Sequence, residues 1–300
     1  PLFFFHEEDG LPDPLWSRGL GDVYKRQMME CKKALVEAGG DMNKAIDTMR
    51  KAGQAKADKK SSRVAAEGVI KLVVKDKKVA NMLEVNCETD FVAKDKNFLE
   101  FAETISNASL ENFNGDISEF IQSKYSSEKT IEEERLELVS KIGENIKIRR
   151  VHSVNIEKGF IGHYMHGSKI CVVAVLENED ESLAKDICMH IAAMKPLAID
   201  ETGISQVVLD KEKEIFKAQA KESGKPENIL EKMVEGKINK YISEVTLLNQ
   251  KFVKDNEINI HTLLKNNNNK IISFSRMEVG EGIEKKYENF ADEVMAQIKN

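Results

Sequence analysis

The side chains that could perform chemistry in this sequence are its six histidines and four cysteines, and their spacing argues against a reactive centre. His163 and His166 could form half of a metal site, but no third ligand clusters with them, so a turn histidine is the simpler interpretation. The cysteines stand far apart without a C-x-x-C pair, which indicates neither a zinc knuckle nor a disulfide scaffold and favours a reducing compartment. They are Cys31, Cys87, Cys171 and Cys188.

The sequence also lacks the common motifs of enzymes. No phosphate-binding loop, Rossmann glycine pattern, nucleophile elbow or metalloprotease motif occurs in it. We therefore expect no enzymatic activity, no metal and no cofactor.

A second group of side chains follows the predicted strand Val79–Val85: Thr89, Asp90, Phe91 and Val92. Residue type alone places Phe91 in the core, because phenylalanine is among the most buried residues, and makes Asp90 a helix or turn cap. A loop that leaves a strand can also present side chains to a partner, because the sheet holds it rigidly. Both interpretations stay open at this point.

The composition is that of an ordinary globular protein. The 300 residues are enough for two or three compact units, and 41% are hydrophobic and 32% charged. A net charge of −6 argues against nucleic acid as the main partner, because phosphate binding depends on clustered Lys and Arg; a protein partner fits better. Lys56, Lys59 and Lys60 could contact RNA, but a solvated linker is favoured. No apolar run is long enough to span a bilayer.

Hydrophobic periodicity predicts the elements that position these side chains. One helix follows Met28 and ends at Gly39-Gly40, a second runs from Asp41 to about Lys51, and Ala52–Arg63 is a linker or a frayed helix. Further strands are predicted at Val69–Val74, Ile146–Val154 and Ile271–Val279, and further helices at Asn97–Ala108, Ile131–Ile142, Ser182–Met194 and the C-terminus.

Part of this pattern is repeated. Setting Gly68 against Gly159 places the strand Val79–Val85 over Ile170–Leu176 without a gap, and a helix follows each strand. This indicates two related subdomains, each a small antiparallel sheet with a helix, and therefore an α+β fold.

Residues 207–245 differ from the rest of the chain, being long, charged and helix-favouring, with a break at Ser223–Pro226. They predict an antiparallel helical hairpin of coiled-coil type, which projects or pairs with a partner. The side chains predicted on its apolar side are Val208, Ile215 and Ala218 in the first arm and Ile229, Met233, Ile238 and Ile242 in the second.

Four segments in order resemble the elongation factor Ts family. The strongest is the signature Glu84–Lys94, and the resemblance extends over essentially everything from Met28 to Asn300. The other three segments are Met28–Leu35, Lys141–Ile146 and Glu231–Gly236.

The resemblance implies a guanine nucleotide exchange factor that binds elongation factor Tu. In that family the element matching Thr89, Asp90, Phe91 and Val92 displaces the magnesium ion of elongation factor Tu, and the histidine matching His166 contacts the same partner. Residues matching Met28 and Met29 touch its GTPase domain. A homodimer through the helical hairpin and a cytoplasmic, bacterial location are further expectations, with an organelle as the alternative.

The start of the chain departs from the family. Asp22–Gln27 resembles the translation of a transposon end used to build sequencing libraries, so residues 1–27 are expected to be non-native. The family's N-terminal module has three helices and resembles a ubiquitin-associated domain; its first helix should precede Met28, and we therefore predict a weakened module here.

The predicted division has seven parts. These are 1–27, the non-native segment; 28–53, the truncated ubiquitin-associated-like helical module; 54–65, a linker; 66–155, core subdomain N; 156–206 with 246–282, core subdomain C; 207–245, the inserted hairpin; and 283–300, a C-terminal helical module.

Overall fold

A computed structural model describes residues 29, 31–124, 129–221 and 227–284 of the chain. Met28, the predicted non-native segment 1–27 and residues 285–300 of the predicted C-terminal module lie outside the described residues. The chain divides into two compact units, Pro1–Arg63 with Glu132–Ile146, and Val64–Ile131 with Lys147–Asn300.

The described chain combines helices with antiparallel strands, which occur in separate runs along the sequence, and this confirms the α+β fold class. The helices are α1 (31–37), α2 (Met42–Lys60), α3 (Lys96–Asn112), α4 (Ile117–Gln122), α5 (Ile131–Ile142), α6 (Glu181–Met194), α7 (Gln206–Lys221), α8 (Glu227–Val245) and α9 (Ile260–Asn266). The strands are β1 (Glu67–Lys75), β2 (Val79–Cys87), β3 (Lys147–Asn155), β4 (Phe160–His166), β5 (Ile170–Leu176), β6 (Lys251–Phe252), β7 (Asp255–Asn259) and β8 (Ile271–Glu278). No described helix combines the length and apolarity needed to cross a membrane.

The first unit contains α1, α2 and most of α5. Asp41 caps α2 by accepting hydrogen bonds from the backbone N–H groups of Asn43 and Lys44, at 3.0 and 3.2 Å. The helix continues to Lys60, so the predicted end near Lys51 is wrong. The segment Ala52–Arg63, predicted to be a linker or a frayed helix, is helical as far as Lys60. The segment favours helix because it is rich in alanine and lysine and contains no proline.

The second unit contains two three-stranded antiparallel sheets, in the orders β1-β2-β3 and β4-β5-β8. Strand β5 is buried on both faces: Cys171, Val173 and Val175 pack with Ile70 and other residues of the first sheet. On its opposite face, Val172, Ala174 and Leu176 pack with residues of α6 and α9. Helix α3 covers the first sheet in the same way that α6 covers the second.

The backbone repeats in the register that the sequence predicts. Gly68 and Gly159 both have positive φ, +143° and +94°, and each lies against a carbonyl of the neighbouring strand. A β carbon would stand 2.0 Å from the oxygen of Val85 at the first glycine and 2.6 Å from that of Leu176 at the second. The sheet register shifts at the same two places, Glu84/Val85 and Val175/Leu176. Both copies therefore share a close contact between a glycine and a strand carbonyl, and a register shift at the equivalent position on the other edge of the central strand.

Helices α7 and α8 form the predicted antiparallel hairpin. The rings of Phe216 and Tyr241 lie 6.3 Å apart, and Lys237 donates a 2.9 Å hydrogen bond to Gln219. The prediction of the apolar side is wrong for the first arm, where Val208, Ile215 and Ala218 are exposed. In the second arm Ile229 is exposed as well, whereas Met233, Ile238 and Ile242 are partly buried. Apolar residues occur on more than one side of this helix, so periodicity alone does not determine which side packs.

Candidate functional site

The loop with the candidate side chains connects β2 to α3. A single 3-10 turn, Val92–Lys94, organises it. Backbone hydrogen bonds run from the N–H of Ala93 to the carbonyl of Thr89, 3.3 Å, and from the N–H of Lys94 to that of Phe91, 3.1 Å. The Val92 N–H also donates to the Thr89 hydroxyl at 3.4 Å. Ala93 is buried at the centre of the turn, Thr89 and Val92 are half-buried, and Asp90, Phe91 and Lys94 are exposed.

Phe91 projects from this turn. Its side chain is 81% exposed, whereas Phe98, seven residues on, is fully buried in the same unit. The expectation from residue type, that Phe91 belongs to the core, is wrong. Leaving a phenylalanine in water forgoes roughly 1.5–3 kcal/mol of burial free energy, and its exposure leaves it little packing within the described part of the chain.

Asp90 forms an ion pair rather than a cap. Its Oδ2 lies 2.9 Å from Nζ of Lys94, and both side chains are exposed. The cap of α3 is Asp95, which accepts from the backbone N–H groups of Asn97 and Phe98 at 2.9 and 3.1 Å. Lys94 was not singled out in the sequence, although its spacing from Asp90 is one at which charges meet on a helical turn.

His166 ends β4 and is exposed. Its Nδ1 lies 3.2 Å from the hydroxyl of Tyr164, two residues earlier on the same strand face, and this partner was not expected. Side chains alternate along a strand, so His163 points to the opposite face and the two histidines do not converge. In the described part of the chain no three His, Cys, Asp or Glu residues group closely enough to hold a metal ion.

The first unit contributes one candidate. Met29 is 68% exposed, whereas Met28 lies outside the described residues. An exposed methionine has a flexible, polarisable side chain suited to a contact surface.

None of the four cysteines is in a disulfide; Cys31 is exposed, and Cys87, Cys171 and Cys188 are buried. Burial raises the pKa of Cys171 to about 12 and, as the main cause, also raises the pKa of Cys188. The thiolate is the reactive form of cysteine, so these two thiols are inert at neutral pH.

Comparisons with known protein sequences identify the family of this chain. The family model described as Elongation factor TS matches residues 88–281. A protein named elongation factor Ts from Legionella pneumophila strain Paris is 53% identical over 273 residues, covering 91% of this chain and 93% of the relative. One of the same name from Thioalkalivibrio sulfidiphilus is 52% identical over 274 residues, with the same coverage of both chains. One from Francisella tularensis subsp. novicida is 54% identical over 272 residues, again at 91% and 93%. The chain belongs to the elongation factor Ts family.

Proposed function

We propose that this chain accelerates the exchange of GDP for GTP on elongation factor Tu, and that the Thr89–Val92 turn does so by dislocating the partner's magnesium ion. Family membership implies the coarser activity, a nucleotide exchange factor in translation elongation that is not an enzyme in the usual sense. The role of the turn in this chain is the part that we propose.

The main support for this proposal is the exposure of the Phe91 side chain. A large apolar side chain held in water on an ordered turn, with a carboxylate beside it, suits insertion into another protein. In the unbound chain it contributes little to folding, so its placement is better explained by an intermolecular contact.

The energetics limit what Phe91 can do alone. Its burial in an apolar slot of the partner would supply roughly 1.5–3 kcal/mol, and only in a partner conformation whose slot is open. Each 1.4 kcal/mol changes an affinity about tenfold, so a large acceleration of release needs further contacts. We assign these to Asp90, His166, Met28 and Met29.

Loss of the magnesium ion is a sufficient reason for GDP to leave. A GTPase binds the nucleotide phosphates through backbone amides and through a metal ion that neutralises their charge. When the ion is displaced, the phosphate charge is no longer compensated and nucleotide affinity falls. If its exposed pair with Lys94 opens on binding, Asp90 would add a negative charge near the same place, which opposes return of the nucleotide.

The decisive experiment measures release of fluorescently labelled GDP from elongation factor Tu. Wild-type chain should accelerate release, and Phe91→Ala should slow it at least about tenfold, the equivalent of 1.4 kcal/mol. Val207→Ala is the matched control, because Val207 is 77% exposed and lies in the helical hairpin. Equal release rates with and without wild-type chain would refute exchange activity.

A second arm tests the magnesium step. With magnesium removed by a chelator, the dislocation step is bypassed, so the difference between wild type and Phe91→Ala should become small. A defect of the same size with and without magnesium would exclude metal dislocation as the role of Phe91, while leaving exchange itself intact.

Two other functions predict different results. A passive scaffold would bind elongation factor Tu without changing the rate of GDP release. A nucleic-acid-binding protein would bind RNA with an affinity that falls steeply with salt, which the net charge of −6 disfavours.

Place of action and self-association stay predictions. The relatives named above are bacterial, and on that basis we propose the bacterial cytoplasm as the place of action. The expected homodimer through the helical hairpin can be measured by sedimentation of the full chain.

A further inference from the structure

The β4–β5 turn that follows His166 is hydrogen-bonded to the first sheet. The backbone N–H of Ile70 donates to the carbonyl of Ser168 at 2.8 Å. Lys169 extends its Nζ to the carbonyl of Gly68, 3.1 Å, and to Oε2 of Glu67, 2.7 Å. The turn itself is closed by the Lys169 N–H, which lies 3.4 Å from the carbonyl of His166. One lysine thus connects the residue predicted to bind a partner to strand β1.

The β1–β2 turn makes equivalent hydrogen bonds to the second sheet and the residue before it. With Gly68 set against Gly159, Lys78 corresponds to Lys169. The Lys78 N–H closes its turn on the Lys75 carbonyl at 3.0 Å, and its Nζ donates to the Gly159 carbonyl at 2.8 Å. The chain therefore contains an internal copy of the same attachment at a turn where no partner-binding residue is predicted.

The two attachments differ in the second acceptor of the lysine: Nζ of Lys78 lies 3.4 Å from the carbonyl of Glu157, whereas Nζ of Lys169 meets a carboxylate. Glu67 gives Lys169 a carboxylate, whereas the residue that corresponds to Glu67 in the other copy is Lys158, which cannot pair with Lys78. An ion pair of two partly exposed side chains contributes little to overall stability. It does fix the orientation of a short turn, which removes conformers that a partner would otherwise have to order.

We propose that Lys169 is a positioning residue for partner binding, which holds the β4–β5 turn on β1 so that His166 meets elongation factor Tu in a fixed orientation. This inference rests on the proposed function and adds to it a residue that does not itself touch the partner. It predicts that the effect of Lys169 passes through His166.

The test compares Lys169→Met, Lys78→Met and His166→Ala, together with the double variants that combine each lysine change with His166→Ala. Methionine keeps most of the lysine stem and removes the charge. Calorimetric Kd for nucleotide-free elongation factor Tu should rise about three- to tenfold for Lys169→Met, the range expected when one ordered turn is released, and stay at the wild-type value for Lys78→Met. Lys169→Arg should restore binding, because arginine can reach the same two acceptors.

Coupling separates positioning from a general loss of structure. Lys169→Met added to His166→Ala should raise Kd little further, whereas a residue that acts independently would multiply the two effects. Multiplicative effects, or equal Kd for Lys169→Met and Lys78→Met, would overturn the inference, as would a His166→Ala variant that binds like wild type. Failure of wild-type chain to release GDP would instead refute the proposed function, whatever the lysine variants do.

Discussion

The backbone N–H of Gly280 donates a 2.8 Å hydrogen bond to Oε1 of Glu84, a carboxylate that is completely buried. The same carboxylate accepts from Asn86, Arg149 and Arg150 at 2.6 to 3.2 Å. Burial by itself would raise the pKa of Glu84, but the hydrogen bonds from Gly280, Asn86 and Arg150 outweigh it and hold the pKa below its usual range. Glu84 therefore stays charged and joins β2, β3 and the segment after β8.

Removing this charge should be costly. Glu84→Gln takes the buried carboxylate away from Arg149 and Arg150, although Arg150 keeps its pair with Glu281. Breaking a buried pair on one side costs on the order of 3 kcal/mol. Urea unfolding measures the loss. Glu103→Gln is the control, because its pair with Lys71 is exposed on the glutamate side and such pairs contribute about 1 kcal/mol or less. Similar losses for the two variants would show that the buried cluster adds nothing to an ordinary surface pair.

Phe91 and Phe98 should differ in what they contribute to stability. Phe98→Ala empties a fully buried site and should lower the free energy of unfolding by about 3–5 kcal/mol. Phe91→Ala should change it by no more than about 0.5 kcal/mol, as expected for an exposed position. A large loss at Phe91 would mean that slow GDP release by this variant reflects unfolding rather than a missing contact.

Stability should fall on mild acidification because of His190. This buried side chain lies 3.0 Å from Oε1 of Gln250 through Nε2, and its Nδ1 accepts from the Val253 N–H at 3.2 Å. Burial lowers the pKa of His190, against the opposing effect of the Gln250 hydrogen bond. Below about pH 6.5 the imidazole of His190 therefore binds a proton in the unfolded chain but not yet in the folded chain. The free energy of unfolding is thus highest above about pH 6.5 and decreases as the pH falls.

Urea unfolding at pH 7.5 and 5.5 checks this sign. One such histidine contributes a slope of at most about 1.4 kcal/mol per pH unit, so His190→Gln should flatten the pH dependence. Part of the slope should remain in this variant, since desolvation, as the main cause, also lowers the pKa values of His152 and His163. An unaltered slope in His190→Gln would contradict the assignment.

Local patterns predicted most of the elements, because burial of one face leaves a periodic trace in the sequence. Helix Ile131–Ile142 has the predicted bounds, and β2 differs from its prediction only by two residues at its end. What the patterns could not supply depends on tertiary contacts. The exposure of Phe91 contradicts its residue type, and the pair Lys169–Glu67 joins residues far apart in the chain.

Comparison of the two repeated subdomains indicates a binding role for Phe91, which its residue type does not. Between β2 and α3 the connection spans residues 88–95, whereas between β5 and α6 it spans only 177–180. The Thr89–Val92 turn therefore lies in a connection that is longer in the first subdomain than in the second, although both connections join the same kind of strand to the same kind of helix. A segment that one copy lacks without loss of the fold is free to serve a partner, which supports assigning Phe91 to binding rather than to packing.

The repeated glycines give a last prediction. Alanine at Gly68 would place a β carbon 2.0 Å from the Val85 oxygen, so the strand pair must move apart in addition to adopting a strained φ. Gly115 also has positive φ, +107°, but nothing lies within 4 Å of its β carbon position. Gly115→Ala should therefore cost only the conformational strain, about 1–2 kcal/mol, and Gly68→Ala clearly more. Gly159→Ala should resemble Gly68→Ala, because its β carbon would meet the Leu176 oxygen at 2.6 Å. Urea unfolding of the three variants measures the order, and equal losses at Gly68 and Gly115 would show that close strand contact is not what requires glycine in the repeat.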